Sequence, residues 1–278
     1  MTARAKVHVL LIGCGNMGYA LAAGWLTGAE AIGVQVVEPS ATLRDRAASA
    51  GATTSAELPA ISTLPTPDVV VLAVKPQQMD TVLPEVRRFA ESGALVISVA
   101  AGVGLGRMEA AVGARASLIR CMPNTPAAIG AGMMVCVANG QTSPAQRALA
   151  QRLLCATGRV RFIEDEALMD AVTAVSGSGP AYVFHVIDCL ERAGIAEGLP
   201  GDLARELALQ TVYGAGRLAR EGDTDPATLR RQVTSPNGTT AAALAELMGP
   251  SGMDPVIARA VGAARRRSAE LGGGQGPV

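Results

Sequence analysis

Apolar residues fall in short unbroken runs over the first 163 positions and at helical spacing beyond them. The runs cover 7–12, 33–38, 68–74, 94–99, 116–121, 132–138 and 160–163. A run of four to eight apolar residues between turn signals reads as a strand buried on both faces, as parallel sheets require. Helical patterns lie between them, at 20–26, at 43–50 before Gly51, and at 144–156. The third of these has Ser143 as a cap, Pro144 in its first turn and Gly158 beyond its end. This alternation predicts an α/β domain over residues 1–163, a doubly wound parallel sheet with helices on both faces.

From residue 164 the strand-like runs stop. Residues 180–193 read as a helix with Val183, Ile187 and Leu190 on one face and Gly194 as its stop. Residues 203–220 repeat the pattern through Leu207, Val212, Tyr213 and Leu218, with Gly214 and Gly216 offering close helix contacts. A short helix follows Val233-Thr234-Ser235-Pro236-Asn237-Gly238-Thr239-Thr240 and ends at Gly249-Pro250. A last helix spans 255–271, with Arg265-Arg266-Arg267 on a solvated face. The reading is an all-α domain over 164–272 and a flexible tail over 273–278.

Composition narrows the function classes. Hydrophobic residues make up 49% of the chain and 24 basic residues balance 24 acidic ones, which fits a globular protein with a large core. Neutral balance gives no electrostatic footprint for nucleic acid. No stretch reaches the roughly 18 apolar residues of a membrane span, and residues 1–6 lead straight into the first strand without room for a signal peptide. The expected location is the cytoplasm. The two histidines, His8 and His185, and the five cysteines show no metal-ligand spacing, so no metal site is expected.

The chemistry begins at Leu10-Leu11-Ile12-Gly13-Cys14-Gly15-Asn16-Met17-Gly18. G-x-G-x-x-G on a strand-to-helix turn is the arrangement that receives a dinucleotide. Gly13 permits the tight turn, Gly15 lets a pyrophosphate approach the backbone, and Gly18 lets helix and strand pack closely. The helix start, Asn16 and Met17 included, offers free N–H groups to phosphate. Glu38 stands 20 residues beyond Gly18, where an acid can bind both ribose hydroxyls of NAD; Ser40 and Arg44 follow it and suit the 2′-phosphate of NADP. The cofactor is therefore NADPH or NADH. Ala73-Val74-Lys75-Pro76 ends a buried strand on the same side of the sheet, making Lys75 a further cofactor-side candidate.

These stretches, with Arg120-Cys121-Met122-Pro123-Asn124-Thr125-Pro126, Val175-Ser176-Gly177-Ser178-Gly179-Pro180-Ala181-Tyr182 and Val233 to Thr240, resemble the pyrroline-5-carboxylate reductases over nearly the whole chain. The resemblance implies a Rossmann-like NAD(P)-binding domain followed by an all-α dimerisation domain. It also implies reduction of 1-pyrroline-5-carboxylate to L-proline, by hydride transfer to a cyclic imine. The assembly implied is a homodimer that can build a larger ring such as a decamer. By the same resemblance Thr240 and Ser176 are the catalytic candidates, and Thr173, Ser176, Gly179, Pro180, Gly238, Thr239 and Thr240 contact the substrate. A glycine-rich turn entering a helix, with Thr239 and Thr240 adding hydroxyls, suits one carboxylate. Asn237 departs from the family pattern, which has glycine there; asparagine is the side chain most tolerant of positive φ.

Two rival readings are weaker. The β-hydroxyacid dehydrogenases share the two-domain plan, but carry a catalytic lysine in the helix that here reads Gly179-Pro180-Ala181-Tyr182-Val183-Phe184, without one. A nicotinamide-binding scaffold without turnover would have no need of both Lys75-Pro76 and the loop from Ser235 to Thr240.

Overall fold

The computed structural model describes residues 6–28, 32–58 and 66–273. The first five residues and positions 274–278 of the expected tail lie outside them.

The first part of the chain alternates β1 (Val7–Ile12), α1 (Asn16–Thr27), β2 (Ile32–Val37), α2 (Ala41–Ser49), β3 (Thr53–Ser55), β4 (Val69–Leu72), α3 (Met79–Glu91), β5 (Leu95–Ser98), α4 (Leu105–Val112), β6 (Leu118–Met122), β7 (Gly132–Ala138), α5 (Pro144–Leu154) and β8 (Gly158–Phe162). Among the described residues the strands form one sheet in the order β3-β2-β1-β4-β5-β6-β7-β8. Pairing is parallel from β3 across to β6; β7 is antiparallel to β6, and β8 is parallel to β7.

Successive strand residues point to opposite faces, and each face is closed by its own helices. Val9, Leu11, Val69 and Val71 pack with Leu21 and Trp25 of α1 and Leu153 of α5. Leu10, Ile12, Val70 and Leu72 pack with Leu83, Val86 and Phe89 of α3 and Met108 of α4. That two-sided burial is why the strands read as unbroken apolar runs. Trp25 donates its indole Nε1–H to the Leu153 carbonyl at 2.8 Å, tying α1 to α5 inside the core. The cap expected at Ser143 is present as a reciprocal box with Gln146.

After β8 come α6 (Met169–Val172), a π-helical turn (Thr173–Gly177), α7 (Gly179–Ala196), α8 (Gly201–Glu221), α9 (Pro226–Gln232), α10 (Thr239–Leu247) and α11 (Met253–Leu271). The chain divides into two compact units, one of residues 1–177 with 265–278 and one of residues 178–264. Residues 164–177 and the last turns of α11 thus belong with the sheet. Ser268 donates its hydroxyl to Asp170 at 2.7 Å within that unit.

The second unit is helical throughout. Gly194 does not stop α7, which runs on to Ala196. A Cβ at Gly194 would lie 3.2 Å from the Leu199 side chain and 3.3 Å from that of Ala204, so glycine there serves the close packing of α7 against α8. The turn is made at Gly198, with φ +95°. Gly214 and Gly216 make no close contact among the described residues, since an added Cβ at either meets nothing within 4 Å. Buried apolar residues in this unit are few, Ala204 and Ala208, whereas Phe184, Tyr213 and Leu218 are each about 60% exposed (62%, 59% and 59%). Such a surface needs a cover.

Candidate functional site

The sheet unit carries a cleft of about 720 Å³ at the carboxyl ends of β1, β2 and β4. It lies where the chain, having run outward from β1 to β3, returns to the other side of β1 as β4; ligands bind at such switch points. Ile12 ends β1 and Gly13 turns the chain at φ +90°, with Ala73 backbone atoms 2.8 Å from where a Cβ would stand. Helix α1 begins at Asn16 on the N-cap Gly15, which supplies no side-chain cap. Its first N–H groups are therefore left for a ligand or water. An added Cβ at Gly15 meets nothing within 4 Å, whereas one at Gly18 strikes the Gly13 carbonyl. Open space at Gly15 is what the approach of a pyrophosphate demands, and close packing at Gly18 is what helix and strand demand.

Of the expected cofactor residues, Gly13, Gly15, Glu38, Ser40, Ala73, Val74 and Lys75 line the cleft; Cys14, Asn16, Met17, Gly18 and Pro76 do not. Cys14 is buried, and its thiol pKa is raised by burial and then by the Glu38 carboxylate. Its N–H donates to Glu38 Oε2 at 2.8 Å, while Ser40 N–H donates to Glu38 Oε1 at 2.9 Å. Arg44 Nη1 donates to the carbonyls of Glu38 and Pro39, at 2.8 and 2.7 Å. The cleft also takes in Ala56, Glu57 and Leu58 beyond β3, and Gln78, Val82 and Glu85 at and within α3. Neither element is foreseen in the sequence reading above. For α3 a signal existed: Met79, Leu83, Val86 and Phe89 are all buried and recur at three to four residues.

Thr173 and Ser176 sit on the π-helical turn, an irregularity that recurs at functional sites. Thr173 donates its hydroxyl to the Met169 carbonyl at 2.8 Å. Ser176 Oγ is shielded from solvent and has no hydrogen-bond partner among the described residues, an orphaned polar atom that a substrate could satisfy. The turn is anchored by Asn124, which donates Nδ2–H to the Ser176 carbonyl at 3.2 Å and accepts the Met133 N–H at 2.8 Å. Before that loop, Arg120 donates to Glu166 Oε1 at 2.8 Å, and the Leu105 N–H at the start of α4 donates to the same oxygen at 2.9 Å.

In the helical unit, Gly179 and Pro180 open α7. Helix α10 starts at Thr239 on the N-cap Gly238, again without a side-chain cap, so neither threonine caps it. Thr239 is exposed and Thr240 half-buried. Asn237 holds φ +58°, the one positive-φ non-glycine among the described residues. Gly238 N–H closes the turn onto the Ser235 carbonyl at 3.1 Å. The arrangement presents first-turn N–H groups beside two hydroxyls, the donor set of an anion site.

Residues 166–271 match the family model for pyrroline-5-carboxylate reductase dimerisation. Residues 8–102 match the model for NADP oxidoreductase, coenzyme F420-dependent. The chain is 41% identical over 265 residues to the pyrroline-5-carboxylate reductase of Pseudomonas aeruginosa, covering 95% of this chain and 96% of that one. It is similar to the solved pyrroline-5-carboxylate reductase of Coxiella burnetii, with a TM-score of 0.88 and 32% identity over 98% of this chain and 100% of the other. It is also similar to the Plasmodium falciparum pyrroline carboxylate reductase solved with NADP bound, with a TM-score of 0.81 and 29% identity over 97% of this chain and 100% of the other.

Proposed function

The chain belongs to the pyrroline-5-carboxylate reductases, and from that membership we propose how its own residues reduce 1-pyrroline-5-carboxylate to L-proline. The reaction is an NAD(P)H-dependent hydride transfer to a cyclic imine, the last step of proline biosynthesis. When bound, the nicotinamide cofactor supplies the hydride. The open space at Gly15 and the uncapped start of α1 fit its pyrophosphate, and Gly13, Gly18 and the Ala73 to Pro76 strand end shape the rest of the cradle. Cys14, Asn16 and Met17 contribute through the backbone of the turn, while Glu38 and Ser40 stand at the adenosine end.

A protonated cyclic imine is already electrophilic, so the protein's task is to hold it and to orient it. The observation that carries the substrate half is the uncapped start of α10. There Gly238, Thr239 and Thr240 receive the carboxylate on backbone N–H groups and hydroxyls. Thr173 and Ser176 on the π-helical turn, and Gly179 and Pro180 at the start of α7, are assigned to the substrate by the family resemblance, with the Ser176 hydroxyl oxygen as the acceptor for the protonated imine N–H. The exposed apolar side chains of the helical unit are covered by a second copy of the chain, consistent with the dimerisation family match. We place the dimer in the cytoplasm, able to build a larger ring such as a decamer.

Among the described residues no helix is long and apolar enough to cross a membrane. The test is steady-state oxidation of NADH and of NADPH with pyrroline-5-carboxylate as substrate. Turnover with proline as the product is expected; absence of turnover with both nucleotides would overturn the reading.

A further inference from the structure

We infer that this enzyme selects NADH over NADPH and that Glu38 makes the choice. The inference rests on the nucleotide reading of the cleft above. Glu38 follows the last residue of β2 and lines the cleft. Its two oxygens are fixed separately, Oε2 by the Cys14 N–H at 2.8 Å and Oε1 by the Ser40 N–H at 2.9 Å. A carboxylate has about four acceptor positions, so two remain after these bonds, one on each oxygen. Two adjacent acceptors match a vicinal diol, the 2′- and 3′-hydroxyls of an adenosine ribose. A 2′-phosphate has only acceptors and negative charge to offer the same point.

The arginines nearest Glu38 in sequence have partners of their own. Arg44 is the nearest basic residue in sequence, but its Nη1 is held by the Glu38 and Pro39 carbonyls, and it does not line the cleft. Arg46 lies over the Tyr19 ring, 3.5 Å from its centroid. The Ser40 N–H is spent on Glu38 itself. Among the described residues, the charged side chains lining the cleft are Glu38, Glu57 and Glu85 against Lys75 alone. Lys75 follows β4, and β1 lies between β4 and β2, so their ends stand about 10 Å apart at the usual strand spacing. Turning Glu38 away would break both of its N–H bonds. The Plasmodium relative was solved with NADP bound, so the fold does not dictate the choice; the residues around Glu38 do.

The test is calorimetric titration of the full-length protein with NADH and with NADPH, without substrate. NADH is expected to bind more tightly, by roughly ten- to a hundredfold, the value of one charge-assisted contact. Raising the salt concentration should narrow the ratio by relieving the repulsion felt by NADPH. Glu38→Gln keeps the shape and removes the charge; it should weaken NADH and strengthen NADPH, shrinking the ratio at least about tenfold. Equal or tighter NADPH binding by the unaltered protein, or an unchanged ratio in the glutamine variant, would overturn this inference and leave the nucleotide cleft standing. Binding of neither nucleotide would overturn the cleft reading and this inference together.

Discussion

Asn124 donates its side-chain amide to the main-chain carbonyl of Ser176 at 3.2 Å, joining two segments 52 residues apart. Its Oδ1 accepts from Met133 N–H at 2.8 Å, so a single side chain ties the loop after β6, the start of β7 and the π-helical turn. Asn124→Ala removes both bonds and leaves partly buried main-chain groups unpaired, at a cost of about 1–3 kcal/mol. Stability in urea should fall by that amount. The Ser176 hydroxyl should also lose its fixed position, lowering kcat with pyrroline-5-carboxylate while the nucleotide Kd holds. Asn124→Asp retains the acceptor for Met133 and should recover stability more fully than kcat. A variant whose nucleotide Kd moved as much as its kcat would contradict the assignment of Asn124 to the substrate side.

The glycines of the first turn separate into two kinds, and alanine substitution distinguishes them. Gly15 has a φ of −63° and open space at its Cβ position, so Gly15→Ala should fold with stability within about 1 kcal/mol of the parent. The new methyl group occupies the approach to α1, and NADH affinity should fall tenfold or more. Gly18→Ala drives a methyl group against the Gly13 carbonyl and within 3.3 Å of the Ala73 side chain. That overpacking should cost roughly 1–3 kcal/mol of stability. Urea denaturation and nucleotide titration on both variants check the pair; the opposite assignment of binding loss and stability loss would refute it.

Much of the sheet was legible because burial on both faces writes strands as plain apolar runs. Residues 7–12 and 132–138 match β1 and β7 to the residue. The direction of β7 was not legible, since an apolar run reads the same either way. The chain reverses through the Pro123 to Gly130 loop, where Gly130 turns at φ +73°. Helix α3 is disguised by Pro84, which stands exposed within it and removes one helical N–H bond. With α3 unread, Val82 and Glu85 of the cleft had no position. Glu38 was legible as an acid at a strand end. Its bond to the Cys14 N–H was not, because no local pattern encodes a contact across 24 residues.

Asn237 takes a backbone conformation that a side chain with Cβ occupies at a cost of roughly 1–2 kcal/mol, less for asparagine. Asn237→Gly should therefore preserve the turn into α10 and keep kcat/KM for pyrroline-5-carboxylate within about threefold, less than the 1.4 kcal/mol that a tenfold change represents. Asn237→Val puts a β-branched residue at φ +58° and should destabilise the loop by 1–2 kcal/mol or more, raising the substrate KM. Thermal unfolding and steady-state kinetics on the two variants measure this. Equal behaviour of glycine and valine would show that the turn does not depend on its positive φ.

Thr240 is the second residue of α10, half-buried, on a helix whose N-cap is glycine and whose first N–H groups no side chain caps. A hydrogen bond to a charged group contributes about 1.5–3 kcal/mol, which is roughly ten- to a hundredfold in kcat/KM. Thr240→Ala should impair use of pyrroline-5-carboxylate by that factor while NADH and NADPH affinities, measured without substrate, stay near those of the parent. Thr240→Ser retains the hydroxyl and should recover most of the loss. Removing a hydroxyl that does not cap α10 should leave stability within about 0.5 kcal/mol, so a loss of activity could not be ascribed to unfolding. Should the alanine variant lose nucleotide affinity and keep its substrate KM, the carboxylate site is not at the start of α10, and the loop from Ser235 to Thr240 serves the cofactor instead.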